Sequence, residues 1–291
     1  MQLSVQSVIS IILSIIGIHG IIINSAILSV YIRLWRTSNR LGASDPILLS
    51  MALTNLLLVC QLLVSYYLSY HTEMNISTLL FLSYVLYVLY NMSLWNTAWL
   101  SICNCVKLVT VTHRIFLWVK MWFPSSITKL LIGSAIWSVL VTLPFIWTVQ
   151  MMFPQNTNIT NGPLGLPMNM DVSFIVVNVL LSYTIPFTLT AICIGLSVTS
   201  LLHHVWRIRQ NVSQDSSSPQ LQALVRAAVT MILHVLLDLV FLIFVIFMFV
   251  VLSYISPVII TLSWVYLFSF PSVQSFILIF GNPKLKRSLF R

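Results

Sequence analysis

The segment Ile18-His19-Gly20-Ile21-Ile22-Ile23-Asn24-Ser25-Ala26-Ile27-Leu28-Ser29-Val30-Tyr31-Ile32-Arg33-Leu34-Trp35-Arg36-Thr37-Ser38-Asn39-Arg40 decides the fold. Its apolar run starts near residue 5 and gives way after residue 32 to Arg33, Arg36 and Arg40. A helix of that length covers the roughly 30 Å of bilayer hydrocarbon at about 1.5 Å per residue. Cations that follow such a run are held on the cytoplasmic side during insertion. No Lys or Arg precedes the run, so it lacks the charged leader of a cleavable signal peptide. The N-terminus is therefore expected outside.

Working outward, the other cations obey the same rule. They fall at Lys107, Arg114, Lys120 and Lys129, at Arg207, Arg209 and Arg226, and at Lys284, Lys286, Arg287 and Arg291. The intervening polar segments 71–77, 153–171 and 253–257 contain no Lys or Arg. Hydropathy divides the chain into seven apolar stretches, roughly 5–32, 45–70, 78–110, 127–150, 172–202, 227–252 and 258–281. Seven crossings from an outer N-terminus put the C-terminus in the cytoplasm, where its own four cations already place it. The expected fold is all-α and integral to the membrane, a seven-transmembrane helix bundle forming one domain over 1–291.

Composition agrees. The chain has 59% hydrophobic and 7% charged residues, with a mean hydropathy of +1.00, whereas soluble domains carry about 25% charged residues. The net charge of +9 follows from topology and from lipid headgroups, since the cations flank apolar spans, so no nucleic-acid partner is expected. Cys60, Cys103, Cys105 and Cys193 all lie in apolar stretches, which argues against an outer disulfide and leaves them as small packing residues. No metal or cofactor site is expected, because no His or carboxylate stands at ligand spacing from them. Asn158-Ile159-Thr160 lies in the longest outer connection and is the expected glycosylation site. The sequons at Asn75, Asn91 and Asn211 lie too near the membrane, within a span or on the inside.

Several motifs narrow the class. The seventh span ends Phe270-Pro271-Ser272-Val273-Gln274-Ser275-Phe276-Ile277-Leu278-Ile279-Phe280-Gly281-Asn282-Pro283-Lys284-Leu285-Lys286, and the third carries Trp95, Leu100, Ser101 and Lys107. The segment from His113 to Lys120 contains Phe116-Leu117-Trp118; Asn24 stands in span one, Pro186-Phe187 in span five, and Leu201-Leu202-His203-His204 at its end, followed by Asp215 and Arg226. Together these resemble the bitter taste receptors (type 2 taste receptors), G-protein-coupled receptors whose last span typically ends His-Ser-x-x-Leu-Ile-x-x-Asn-x-Lys-Leu-Lys. The resemblance runs over essentially the whole chain. It departs from the family pattern at Pro271, which replaces the usual His, at Asn104, which replaces an aromatic, and at Thr54-Asn55, where Ser-Arg usually ends span two.

The resemblance implies a plasma-membrane, multi-pass chemosensory receptor. It would bind small, largely apolar bitter agonists among the outer halves of the helices and activate a heterotrimeric G protein of the gustducin or inhibitory type. Asp238 is the sharpest candidate: it sits near mid-membrane between Leu237 and Leu239, and ionisable groups at that depth are costly and point into the bundle. Counting from Asp215 without gaps places it where the family often carries a pocket-floor Tyr. It either accepts from a cationic or hydrogen-bond-donating ligand or orders helix packing as a protonated or internally bonded carboxyl. Leu86, Tyr87, Tyr90 and Asn91 lie about one turn apart above Trp95; Leu86 and Tyr90 occupy positions the family often fills with Trp and Asn, so Asn91 is the displaced polar contact or an interhelical hydrogen-bonding group. Asn178, Ser182, Thr261 and Trp264 are the candidates from spans five and seven, against a reading as packing or interfacial residues. Asn24 reads as an interhelical latch. Lys107, His113, Lys120, His203, Arg207 and Arg226 lie near the inner mouth and are candidates for contact with the G protein, against a reading as lipid-headgroup charges.

Other classes find little support. There is no paired-carboxylate, Ser-His-Asp, His-Glu-x-x-His or phosphate-loop arrangement for an enzyme. A transporter would show matched halves or matched broken spans, and neither is visible. The nearest competitor is a vomeronasal type 1 pheromone receptor, against which stand Asn282-x-Lys284-Leu285-Lys286 and Lys107.

Epitope tags at Met1 and Arg291 should be reached from opposite compartments of intact cells. An endoglycosidase-sensitive shift in gel mobility should disappear in Asn158→Gln. Tags reached from one compartment would refute the odd number of crossings.

Overall fold

A computed structural model describes residues 5–37, 42–71, 75–108, 114–146, 176–210, 219–251 and 257–289. Its helices are α1 (Val5–Thr37), α2 (Asp45–His71), α3 (Ile76–Leu108), α4 (Arg114–Thr142), α5 (Ile185–Gln210), α6 (Pro219–Val251), α7 (Pro257–Gly281) and the short α8 (Pro283–Leu289). A π-helical turn, Val179–Thr184, leads into α5. Seven of the helices are long and apolar enough to cross a bilayer. α1 packs on α2 and α7, and α3 touches α2, α4, α5, α6 and the π-helical turn, so α3 is the central post.

The helices are apolar outside and partly polar inside, the reverse of a soluble bundle. Ile11, Ile15, Ile18 and Ile22 of α1 are exposed, whereas Leu13, Asn24, Ile27 and Tyr31 are buried. Lipid satisfies the apolar side. Small or polar side chains on the inner stripe let backbones approach and hydrogen-bond between helices. Gly20 shows the first effect: a Cβ there would lie 2.9 Å from Ser272 Oγ of α7 and 3.1 Å from Val59 of α2.

The second effect is a buried hydrogen-bonded lattice through α1, α2, α3 and α7. Ser275 Oγ lies 2.6 Å from Asn24 Oδ1 and 2.8 Å from the Pro271 carbonyl, sharing one proton between two acceptors. It also accepts from Asn55 Nδ2 at 3.3 Å. Ser93 Oγ donates to Gln274 Oε1 at 3.0 Å, and Gln274 Nε2 donates to Thr97 Oγ1 at 2.9 Å. Asn96 joins α3 to α2 by accepting from Ser50 at 3.0 Å and donating to Thr54 at 3.1 Å. Asn24 is thus the latch that the sequence suggests.

The basic end of the bundle is built by the last motif. Asn282 Oδ1 accepts the backbone N–H groups of Lys284 and Leu285 at 3.1 and 3.3 Å, capping α8 with Pro283 in its first position. Asn282 Nδ2 donates to the Tyr31 hydroxyl of α1 at 3.0 Å, Leu285 is buried, and Lys284 reaches Asp45 of α2 at 3.6 Å. Lys286 stands over the Phe280 ring. Each residue of the Asn-x-Lys-Leu-Lys pattern therefore fastens α8 across α1, α2 and α7.

Several boundaries differ from the expected spans: α5 runs to Gln210 against 202, α6 begins at Pro219 against 227, and α4 differs most. The expected fourth span starts at 127, yet α4 begins at Arg114 and contains Pro124. Pro124-Ser125-Ser126 reads like a helix start. Here Ser125 Oγ donates to the Trp122 carbonyl at 2.8 Å, and the carbonyl that Pro124 leaves without its usual donor belongs to exposed Lys120 at the basic end. At its other end α4 stops at Thr142, two residues before Pro144, and Leu143 N–H reaches the Val139 and Leu140 carbonyls.

Interhelical hydrogen bonds in membranes average about 0.6 kcal/mol and reach about 1.7. Asn24→Ala and Ser275→Ala should each lower the melting temperature in detergent, and together by less than the sum, with a coupling in that range. Additive shifts would show that the bond carries no stability.

Candidate functional site

The middle of the bundle is closed by a cluster of aromatic rings. Tyr90 of α3 stacks on Phe241 of α6 with centroids 4.7 Å apart and meets Phe270 of α7 edge-on at 5.8 Å. Phe241 also contacts Phe270 at 4.7 Å, Tyr183 of the π-helical turn at 6.1 Å and Tyr266 of α7 at 6.4 Å. Three other elements therefore converge on Phe241 of α6. Offset and edge-on pairs of this kind contribute about 0.5–1.5 kcal/mol each beyond burial.

Tyr90 is fixed by a second device. Pro271 has no N–H, so the carbonyl four residues earlier in α7, that of Leu267, loses its helical donor. The Tyr90 hydroxyl donates to that carbonyl at 3.3 Å. A backbone defect on α7 is thus satisfied by a side chain of α3, as hydrocarbon surroundings require.

The π-helical turn has a related origin. Pro186, at the second position of α5, would press against the carbonyl of residue 182 in a regular helix. The chain widens just before it, and Thr184 Oγ1 donates to the Val179 carbonyl at 3.2 Å. Such turns are frequent at functional sites. This one carries Ser182 and Tyr183 inward, with Asn178 buried at its start.

Around the aromatic cluster lie buried polar atoms with no hydrogen-bond partner among the described residues. They are both side-chain atoms of Asn91, Ser182 Oγ, Asp238 Oδ1, His234 Nε2 and the Tyr266 hydroxyl. Asp238 and His234 stand four residues apart on one face of α6, and His234 Nδ1 is 2.8 Å from the Thr230 carbonyl, which assigns the proton to Nδ1 and leaves Nε2 as an acceptor. Across the α6–α7 boundary the Tyr266 ring meets Phe244 and Phe241 of α6, with centroids 4.5 and 6.4 Å away. Asn91 shares its face of α3 with Tyr87, whose ring is 5.0 Å from Phe145 beyond the end of α4.

The sequence candidates therefore separate into groups. Tyr90 and Asp238 face the centre between α3, α6 and α7, while Tyr87 and Asn91 turn towards α4. Leu86 is half-buried against the same core, and Thr261 is half-buried in the outer part of α7. Trp264 meets Tyr66 of α2 edge-on at 5.4 Å and so lies to one side of Asp238. Tyr266 and His234 were not among the candidates. His234 was findable as the residue one turn from Asp238, whereas nothing in the sequence separates Tyr266 from the other aromatics of α7.

At the basic end, Lys107 is exposed and donates to Ser44 Oγ at 3.1 Å. Lys120, His203 and Arg226 are exposed there as well. Arg226 lines a cleft between α6 and α7 with Val229, Leu233 and Phe280. Just inside it the two backbones come close, because Thr230 fills the space a Cβ on Gly281 would need. His113 and Asn158 lie outside the described residues, as does the side chain of Arg207.

The sequence profile described as Taste receptor protein (TAS2R) matches residues 1–291. Taste receptor type 2 member 41 of Pan troglodytes is 29% identical over all of this chain and 96% of its own length. Type 2 member 4 of Pan paniscus is 29% identical over 77% of this chain and 75% of its own. Member 41 of Rattus norvegicus is 32% identical over 73% and 71%.

Tyr90→Phe removes one hydroxyl and should destabilise the protein by about 1–3 kcal/mol, the cost of a buried acceptor left without its donor. In a Pro271→Ala background the helix supplies its own donor, so the same substitution should be nearly neutral. Equal melting shifts in both backgrounds would separate Tyr90 from the proline.

Proposed function

We propose a function from one premise: the chain belongs to the bitter taste receptor family, TAS2R. It is a seven-helix protein of the G-protein-coupled receptor type, embedded in a membrane. In our reading it resides in the plasma membrane with the basic end in the cytoplasm and Asn158 glycosylated outside. It takes up small, largely apolar organic molecules from the neutral side and passes the signal to a heterotrimeric G protein of the gustducin or inhibitory type.

The observation that carries this reading is the set of buried polar atoms without protein partners around one aromatic cluster. Burying such groups in an apolar medium costs about 1–3 kcal/mol each by protein mutational data unless something hydrogen-bonds them. A fold that keeps Ser182, Asp238 and Tyr266 in that condition, on the π-helical turn, α6 and α7, with Asn91 on the α4 side of α3, offers a mixed apolar and polar lining to a guest molecule. Pockets for small organic ligands have this composition, mostly apolar walls with a few convergent polar groups.

The guest acts by binding one helix packing better than another. Phe241 and Asp238 sit on α6, and Tyr90, Tyr266 and Phe270 on its partners, so a ligand touching both sides changes the relative stability of α6 positions. The same helix reaches the basic end at Thr230 and Arg226, against Gly281. Displacing α6 there opens the mouth around Lys107, His203 and Arg226 to the G protein. Lys120, His113 and Arg207 complete the proposed contact surface. Leu86, Tyr87, Asn178, Thr261 and Trp264 form the more distant walls of the ligand site.

Within this reading Asp238 is the acceptor for ligand ammonium or N–H groups. A charge-assisted hydrogen bond is worth about 1.5–3 kcal/mol, or about tenfold to a hundredfold in potency. At matched surface expression, Asp238→Asn should raise the half-maximal concentration of amine agonists by that factor and leave neutral agonists within about threefold. Unchanged amine potency with a lowered melting temperature would assign Asp238 to helix packing alone.

A further inference from the structure

Three of the cations that the proposed signalling site leaves unused meet at one place. At the foot of α1 a cleft of about 470 Å³ is lined by Arg33, Lys284, Arg287 and Ser288. Arg33 lies two residues beyond Tyr31 on α1, and Lys284 two residues beyond Asn282. The Tyr31–Asn282 bond of 3.0 Å therefore sets the spacing of the two walls. Leu285, buried among residues of α1, α2, α4 and α7, holds α8 in place from below. The cations belong to a rigid corner, in contrast to side chains on a loose tail.

Charge accounting identifies the complement. Lys284 is shared with Asp45 at 3.6 Å, and Asp45 also accepts the Gly42 N–H at 2.8 Å. Arg33 and Arg287 have no ion-pair partner among the described residues. Two guanidinium groups and a hydroxyl thus converge with a net charge near +2. A phosphomonoester carries about −1.5 to −2 at neutral pH and three strong acceptor oxygens, and guanidinium forks match it bidentately. A phosphodiester with a single charge leaves one arginine unmatched.

The level in the membrane also fits. Exposed Trp35 lies two residues from Arg33, and Lys286 stands over exposed Phe280, an arrangement of aromatic and cationic side chains suited to the headgroup boundary. We propose that the cleft between α1 and α8 binds the phosphomonoester headgroup of an anionic phospholipid, with its acyl chains against the outer faces of α1 and α7. This site stands independently of the receptor reading.

Full-length protein would be placed in phosphatidylcholine nanodiscs doped, at matched negative charge, with phosphatidylserine, phosphatidic acid or phosphatidylinositol 4,5-bisphosphate, and retained lipid counted by native mass spectrometry. The phosphomonoester lipids should be retained about tenfold or more over phosphatidylserine, as one additional charge-assisted bond implies. Arg33→Gln with Arg287→Gln should bring them down to the phosphatidylserine level. Arg36→Gln with Lys129→Gln, the same change of charge, should not. Equal retention of all three anionic lipids overturns the proposal, and that ranking needs no variant. So does an equal loss in the control pair. Displacement by millimolar inositol phosphate at the concentration that saturates with lipid would reassign the cleft to a soluble phosphate and overturn the lipid assignment.

Discussion

Hydrocarbon offers no hydrogen bonds, and this one constraint organises the bundle. Most polar groups of α1, α2, α3 and α7 described above find their partners in the protein, so the partners become the joints between helices, whereas those of the proposed ligand site have none among the described residues. The Leu267 carbonyl, released by Pro271 and taken by Tyr90, is the plainest instance. The contacts of Ser275 with Asn24 and Asn55, and of Gln274 with Ser93 and Thr97, apply the same rule with side chains on both sides. These joints tie α1, α2, α3 and α7 into a frame. On α6 the corresponding groups turn back on their own helix, Thr230 to the Arg226 carbonyl and His234 to the Thr230 carbonyl. That helix meets the frame through the rings around Phe241.

Apart from Asn104, the places where the sequence departs from the family pattern fall together in space. Thr54, Asn55 and Pro271 are far apart in the chain, yet Thr54 bonds Asn96, Asn55 bonds Ser275, and the Pro271 carbonyl accepts from Ser275. A neutral amide in place of the usual arginine needs fewer acceptors, and a proline in place of histidine removes one side-chain donor while freeing one carbonyl. The substitutions are mutually consistent parts of one uncharged joint between α2, α3 and α7.

The seven spans were legible because hydropathy over about 20 residues reports a bulk property that bilayer thickness sets. The start of α4 was not, since Pro124-Ser125-Ser126 carries the local chemistry of a helix terminus and only the neighbouring bonds reveal continuation. Asp238 was legible from depth alone: a carboxyl in that setting has nowhere inexpensive to face but inward. Facing is harder to read for aromatics. Trp264 and Tyr266 are two residues apart on α7, equally apolar and equally suited to a wall, yet one packs against Tyr66 of α2 and the other against Phe241 and Phe244 of α6. The π-helical turn had a hint in Pro186, but a proline near the start of a helix is ordinarily accommodated without widening.

That turn has a bearing on how relatives are compared. Between Val179 and Thr184 the chain uses one more residue than a regular helix would, so everything outward of it is rotated by about 100° relative to the part beyond Pro186. A relative whose helix is uninterrupted at this point must be matched with a one-residue gap inside the membrane, a place where alignments ordinarily forbid gaps. Without it, outward-facing positions such as Val177 and Leu180 would be equated with inward-facing ones, and differences between two such proteins would be attributed to the wrong side chains.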